Sequence, residues 1–298
     1  MTDTIFDVDD GITDPEWLEL VQEASRNGSR FFTENQLYLA YARNKVQVSR
    51  YIARRGVVGL ALIVVGLGTW VYALKVDWGI TLVLGIAITL SGVAYVGTGV
   101  VTRRDPAARE PVTRWLGKWQ AERQIDKLVA GPALARAGAE YLPARVDAVL
   151  IVQRDALVDL LLMNDAQREL SALIIAESGY PEALALEARR LLDERSDLKV
   201  LVLHDATIAG VGMRARVQKS TTLPLEDREV LDVGLFPADV TWLAELAPAI
   251  PSEHTSQVPV DSLSFDALLR GLRGVMTGAL SLHAGIDGTR EESEQTTS

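Results

Sequence analysis

The sequence predicts an α/β protein in which a mostly parallel sheet follows a two-helix transmembrane hairpin. Three observations predict it. Two long runs, 56–74 and 78–102, contain no charged residue and are separated only by Lys75, Val76 and Asp77. Four short apolar runs, 147–153, 171–178, 198–205 and 228–235, alternate with helix-periodic segments. Strands alternating with helices form βαβ units, and their parallel sheet is covered on both faces. The chain has 298 residues, room for one or two domains, and no cysteine. The lack of cysteine excludes disulfides and thiolate metal sites and fits a reducing compartment.

Each element has its own signal. Residues 1–12 are acidic. Thr13-Asp14-Pro15-Glu16 combines a capping box with a proline in the first turn, so a short amphipathic helix starts there and stops at Asn27-Gly28. Thr33-Glu34-Asn35-Gln36 is a second capping box and opens a helix running towards the first uncharged run. The first 55 residues are polar and charged with no early apolar run beside a cleavage site, so no secretory signal is expected.

Both uncharged runs are long enough to cross a hydrocarbon core of about 30 Å at roughly 1.5 Å per residue. Trp70, Tyr72 and Trp78 cluster at the hairpin end, as interfacial aromatics do. Small residues (Gly66, Gly68, Gly85, Ala87, Ser91, Gly92) allow close helix approach. Arg43, Lys45, Arg50, Arg54 and Arg55 precede the first span, and Arg103, Arg104, Arg109, Arg114 and Lys118 follow the second. Positive flanks on both sides put both termini in the cytoplasm, with the flanking cations in the lipid phosphates. Residues 106–140 read as helical, with Trp115 and Trp119 one turn apart on an apolar stripe that suits the membrane surface. Pro132 and Pro143 break this region.

After 146 the runs "DAVLIVQ", "SALIIAES", "LKVLVLHD" and "REVLDVGL" read as strands, with helices between them. Beyond Pro251 the chain is polar, then 264–285 reads as one more helix before a polar tail. The segments are therefore 1–55 (N-terminal, cytoplasmic, helical), 56–102 (hairpin), 103–145 (helical linker), 146–247 (α/β domain) and 248–298 (C-terminal helix and tail).

In a parallel sheet, ligands bind beyond the carboxyl ends of the strands. Those ends carry Gln153, Arg154 and Asp155; Glu177, Ser178 and Gly179; and His204, Asp205 and Thr207. There is no GxGxxG after the first strand, no GxxxxGK[ST], no GxSxG and no spaced histidine pair. Gly210-Val211-Gly212 is the one glycine pair at a helix start. A formal net charge of −10 argues against nucleic-acid binding over the whole surface.

The order "VLIVQRDALVDLLL", "ALIIAESGYPEALALEARRLL", "LKVLVLHDATIAGVGM" and "LDVGLFPADV" resembles the Toprim domain of the type VI DNA topoisomerase A subunit and the related meiotic double-strand-break transesterase. The resemblance covers about residues 146–245. The matching positions are Val152-Gln153-Arg154-Asp155 for V-E-K-D, Ser178-Gly179-Tyr180-Pro181 for the G-K-G-Y-P stretch, Asp205-Ala206-Thr207 for D-x-D, and Asp232-Val233-Gly234-Leu235 for a W-L-G-L-like segment. It implies a Rossmann-like Toprim sheet with Gln153 and Asp205 in one cleft. In that family a glutamate after the first strand and two aspartates after the third hold magnesium for DNA-backbone cleavage. Here those positions are Gln153, Asp205 and Thr207.

With one carboxylate of three, Asp205, the cation site is depleted, and Glu177 on the neighbouring strand end is the remaining acid that could join it. The family's tyrosine nucleophile sits in a stretch similar to "TENQLYLAYAR", but too few residues precede the hairpin for its separate domain. Tyr38 and Tyr41, at i and i+3, read as the packed face of a helix.

The expected protein is a membrane-anchored, catalytically degenerate Toprim-like module that binds or regulates. Its recognition surface would be Gln153, Asp155, Glu177, Ser178, Asp205 and Thr207, without a resident cofactor, and it would work with a protein partner or as a homo-oligomer. The alternatives are a membrane-tethered, magnesium-dependent nuclease using Asp205 and Glu177, and a nucleotide-sensing membrane effector using Gly210-Val211-Gly212.

Overall fold

The computed structural model describes residues 4–45, 61–65, 67, 69, 88, 89, 91, 109–226, 228–243, 246, 250 and 257–278. Its contacts divide the chain into one unit of residues 1–41 with 109–298 and a second of residues 42–108. In the second, positions 61–65, 67, 69, 88, 89 and 91 are helical, and Val64, Val65 and Leu67 are exposed. Most of the two uncharged runs, with the loop between them, lies outside the described residues. Among the described residues no helix is long and apolar enough to cross a membrane.

The first unit opens with α1 (Asp14–Ala24), capped as its sequence requires: Thr13 accepts at Oγ1 from Glu16 N, and Glu16 Oε2 accepts from Thr13 N at 2.8 Å. The second box also forms, with Thr33 N donating to Gln36 Oε1 at 3.1 Å and Gln36 N to Thr33 Oγ1, and it starts α2 over 34–45. Helix α3 (Glu110–Glu122) ends where Arg123 turns extended, so the helix read over 106–140 is only a third of that length.

The remainder of that stretch is mainly loop, and its segment 127–129 pairs with Phe32. The tryptophan stripe of α3 is buried in protein. Trp119 packs with Phe6 at 5.8 Å and Trp17 at 6.2 Å, Trp115 meets Tyr41 edge-on, and Trp115 Nε1 donates to Asp10 O. A membrane-surface role for this stripe is thereby corrected: the rings have found a core. Two of the flanking cations also have protein partners. Lys118 pairs with Asp10 and Asp7, and Arg109 donates to Asn35 and lies over the Tyr38 ring.

The α/β core has β1 (Ala148–Val152), α4 (Asp155–Met163), α5 (Ala166–Glu169), β2 (Ala172–Ala176), α6 (Glu182–Glu194), β3 (Lys199–Leu203), α7 (Ile208–Val211), α8 (Met213–Gln218) and β4 (Val230–Asp232). The sheet is four-stranded and parallel, in the order β2-β1-β3-β4. Every residue of β1 and β2 is buried, as expected of strands covered on both faces. Helices α6 and α8 share one face of the sheet, where both line a cleft over β1 and β2. The order of travel reverses between β1 and β3, so the crevice beyond their carboxyl ends is the topological switch point.

Residues 257–260, just ahead of the last helix, reach that edge: Val258 pairs with Ala206 across an antiparallel bridge, and Val260 N donates to Asp205 Oδ1. In the chain, α9 (Pro237–Val240) precedes that segment and α10 (Phe265–Thr277) follows it, with Ser264 as N-cap and Gly278 at positive φ ending the helix. The far end of the helix read over 264–285 lies outside the described residues, as does the tail.

Candidate functional site

The carboxyl edge of β1 and β3 carries a charge network built from three distant parts of the chain. Arg154, the residue after the β1 edge, donates from Nε to Asp205 Oδ2 at 2.8 Å and from Nη2 to Asp205 Oδ1 at 3.2 Å. The same Nη2 also donates to Asp261 Oδ1. Asp261 in turn accepts from Asn35 Nδ2 at 3.0 Å on both oxygens, and Asn35 Oδ1 accepts from Arg109 at 2.8 Å. Asp205 and Asp261 are buried, at 5% and 1% exposure, so their charges require this compensation. Burial works against the Arg154 charge, but the carboxylates of Asp261 and Asp205 outweigh it and raise the guanidinium pKa further.

The family-matched positions are spent on holding this edge together. Gln153 Oε1 accepts from Asp205 N at 2.9 Å, Asp205 Oδ1 accepts from Val260 N at 2.8 Å, and Thr207 Oγ1 caps α7 by accepting from Gly210 N at 2.9 Å. Gln153 and Asp205 thus lie side by side at the ends of β1 and β3. Magnesium needs free hard oxygens in an octahedral shell. Here both Asp205 oxygens face a guanidinium, and the neutral oxygens of Gln153 and Thr207 are already accepting. The residues present do not fit the ion. Among the described residues no group of three or more His, Cys, Asp or Glu side chains is disposed to hold a metal.

Glu177 does not serve this centre. It forms a two-pronged pair with Arg216, Nε to Oε1 at 2.8 Å and Nη2 to Oε2 at 2.9 Å, on the α8 side. Ser178 donates to Asp155 Oδ1 at 2.6 Å, tying the loop after β2 to the first turn of α4. Sequence reasoning therefore collected two separate clusters under one heading.

It also passed over the residues that matter most to the centre. Arg154 stood in view at the strand end but was read only as part of a motif. Asp261 and Asn35 are far from it in sequence, and the one available signal was an unexplained acid in a proline-flanked stretch. A further buried carboxylate, Asp159 of α4, accepts from Tyr180 Oη at 2.6 Å and from Ala133 N, while Leu134 N donates to Tyr180 Oη. Burial and the neighbouring Asp159 charge push the Tyr180 pKa up.

His204 is fully buried at the end of β3. Its Nδ1 lies 2.8 Å from Asp205 O, and its Nε2 lies 2.9 Å from Asp232 Oδ1 without the alignment of a hydrogen bond. Burial alone would depress its pKa; the Asp232 contact and the Asp205 carbonyl reverse that and leave it raised. The ring is gripped between two glycines. A Cβ on Gly234 would overlap three ring atoms, and one on Gly210 would overlap Asp205 O and approach Nδ1 to 2.9 Å. Gly210 is thus explained by close packing, and α7, only four residues long, supplies no phosphate-binding end.

Comparison of the chain with family models, curated proteins and solved structures gives no match.

Proposed function

We infer that the chain is a membrane-anchored protein whose α/β domain is a degenerate Toprim-like module that binds or regulates and does not cleave. One observation carries the reading: the guanidinium of Arg154 lies between Asp205 and Asp261, in the position a cation would need. A fixed cation there neutralises the last acid of the family's magnesium set. The family resemblance is supported by the parallel adjacency of β1, β2 and β3 and by the Gln153–Asp205 hydrogen bond at the switch point.

Exposed apolar residues support binding as the task. Ile208, five residues beyond β3, is 93% exposed, and Val211, three residues further along α7, is also exposed. An apolar side chain at a sheet's carboxyl edge suits a protein partner or a second copy. Anchoring is supported by the two uncharged runs and by the exposure of Val64, Val65 and Leu67, which lipid solvates better than water.

The nuclease alternative is the one to test. Purified chain is incubated with supercoiled and linear DNA in magnesium or manganese, beside Asp205→Ala and the triple variant Gln153→Glu/Thr207→Asp/Arg154→Gln. We expect no cleavage by the natural sequence, and manganese binding in the triple variant that is absent from the natural sequence and from Asp205→Ala. Cleavage by the natural sequence that disappears in Asp205→Ala would overturn the reading.

A further inference from the structure

Away from the Arg154 centre, the face of the sheet covered by α6 and α8 contains a cleft of about 480 Å³. That is within the size range of small-molecule sites, roughly 300–1,000 Å³. Its floor is apolar, made by Ile151 of β1 and Ile175 of β2, which are adjacent in register, with Val217 of α8 as a wall. Leu186 of α6 forms its lip and is 62% exposed, an apolar side chain with no covering in the chain.

We propose that this cleft is a binding site for a small organic monoanion with an apolar body, its charged end at Arg189. Two ion pairs' worth of charge line the mouth, and their arrangement sets the ligand class. Arg216 and Glu177 neutralise one another through the two-pronged contact, so neither is free to recruit a charge. Arg189 is exposed and, among the described residues, has no acid partner.

Glu182 also lines the cleft and lies seven residues earlier on the same helix, hence on the same face about two turns away. The two ends of the mouth therefore carry opposite charge. A monoanion is drawn to the Arg189 end and repelled from the Glu182 end, and its apolar body falls on the isoleucine floor between them. A dianion with separated charges would meet Glu182, and a neutral ligand would leave Arg189 unused. This inference is independent of the degenerate-Toprim reading, since no residue of the Arg154–Asp205–Asp261 network lines the cleft.

The probes are 4-phenylbutyrate and its neutral analogue 4-phenylbutyramide, titrated calorimetrically into the 298-residue chain in lipid nanodiscs, with empty nanodiscs subtracted. The expected result is saturable one-site binding of the carboxylate. Arg189→Gln and Arg189→Glu should weaken it about tenfold or more, Arg189→Lys should largely preserve it, and Ala185→Trp, which fills the cleft, should abolish it. The amide should bind about tenfold more weakly than the carboxylate and be indifferent to Arg189→Gln.

Absence of saturable carboxylate binding would overturn the proposal. Equal affinity for the amide would overturn the anion class, and binding untouched by the Arg189 variants would locate it elsewhere and overturn the site. Should Ala185→Trp not fold, the exposed Arg189→Glu variant decides. DNA cleavage in the preceding experiment would leave these outcomes unchanged, so the two readings fail separately.

Discussion

At the scale of single residues, the molecule turns on Arg154. A lone buried acid is costly, and Asp205 and Asp261 share one guanidinium that is itself about a third exposed. Truncating it leaves two buried carboxylates facing each other. Arg154→Ala should therefore lower unfolding free energy by about 2–4 kcal/mol, measured by urea denaturation. Millimolar manganese should partly restore the loss in the variant and leave the natural chain unaffected; equal stability of the two chains would remove the charge-compensation argument.

His204 makes a pH-dependent contribution whose sign follows from its raised pKa. The folded protein holds the proton more tightly than the unfolded chain, whose histidine titrates near about 6.5. The contribution is complete below that value and is lost as pH rises through the folded pKa. Denaturation midpoints should fall as pH rises above about 6.5, and His204→Asn should flatten that part of the profile.

At the scale of elements, loops are secured by buried acceptors on helices. Asp159 on α4 holds both the Tyr180 hydroxyl and the Ala133 amide, and so fastens the 131–137 loop and the turn before α6 to that helix. Asp159→Ala would leave a part-buried hydroxyl and a backbone N–H without their acceptor. The expected loss is about 1–3 kcal/mol, and Tyr180→Phe, which removes both the donor to Asp159 and the acceptor of Leu134 N, should cost a similar amount while leaving the carboxylate its Ala133 amide partner. Hydrogen exchange at Ala133 should rise more in the first variant than in the second.

At the scale of the whole molecule, the chain on either side of residues 42–108 belongs to one unit. Asn35 on α2 and Arg109 at the start of α3 are hydrogen-bonded to each other, and Asn35 is bonded onward to Asp261. Asn35 and Arg109, both in the first unit, are thus joined at the network on the carboxyl edge of β1 and β3. If the uncharged segment is a hairpin with both ends inside, a cysteine introduced by Val76→Cys in the naturally cysteine-free chain should react with impermeant maleimide from outside intact cells. One introduced by Ser220→Cys should react only after lysis. Labelling of Ser220→Cys in intact cells would overturn the topology.

The sequence by itself determined the α/β class, the positions of all four strands and both capping boxes. These depend on local pattern: apolar runs of strand length, helix periodicity between them, and Ser/Thr–Glu/Gln spacing at helix starts. Glycine at 210 and 234 was visible, but its reason was not, because the His204 ring that fills the space comes from another element. Only the tertiary structure decided what Asp205 is for. Its neutralising cation is 51 positions earlier, its amide donor Val260 is 55 positions later, and the second acid sharing that cation comes from a stretch with no motif. Periodicity reports which face of an element is buried; it carries no information about which charge from elsewhere will be buried against it. For the same reason Glu177 and Asp205, both legible as acids at strand ends, were separable only when Arg216 and Arg154 claimed one each.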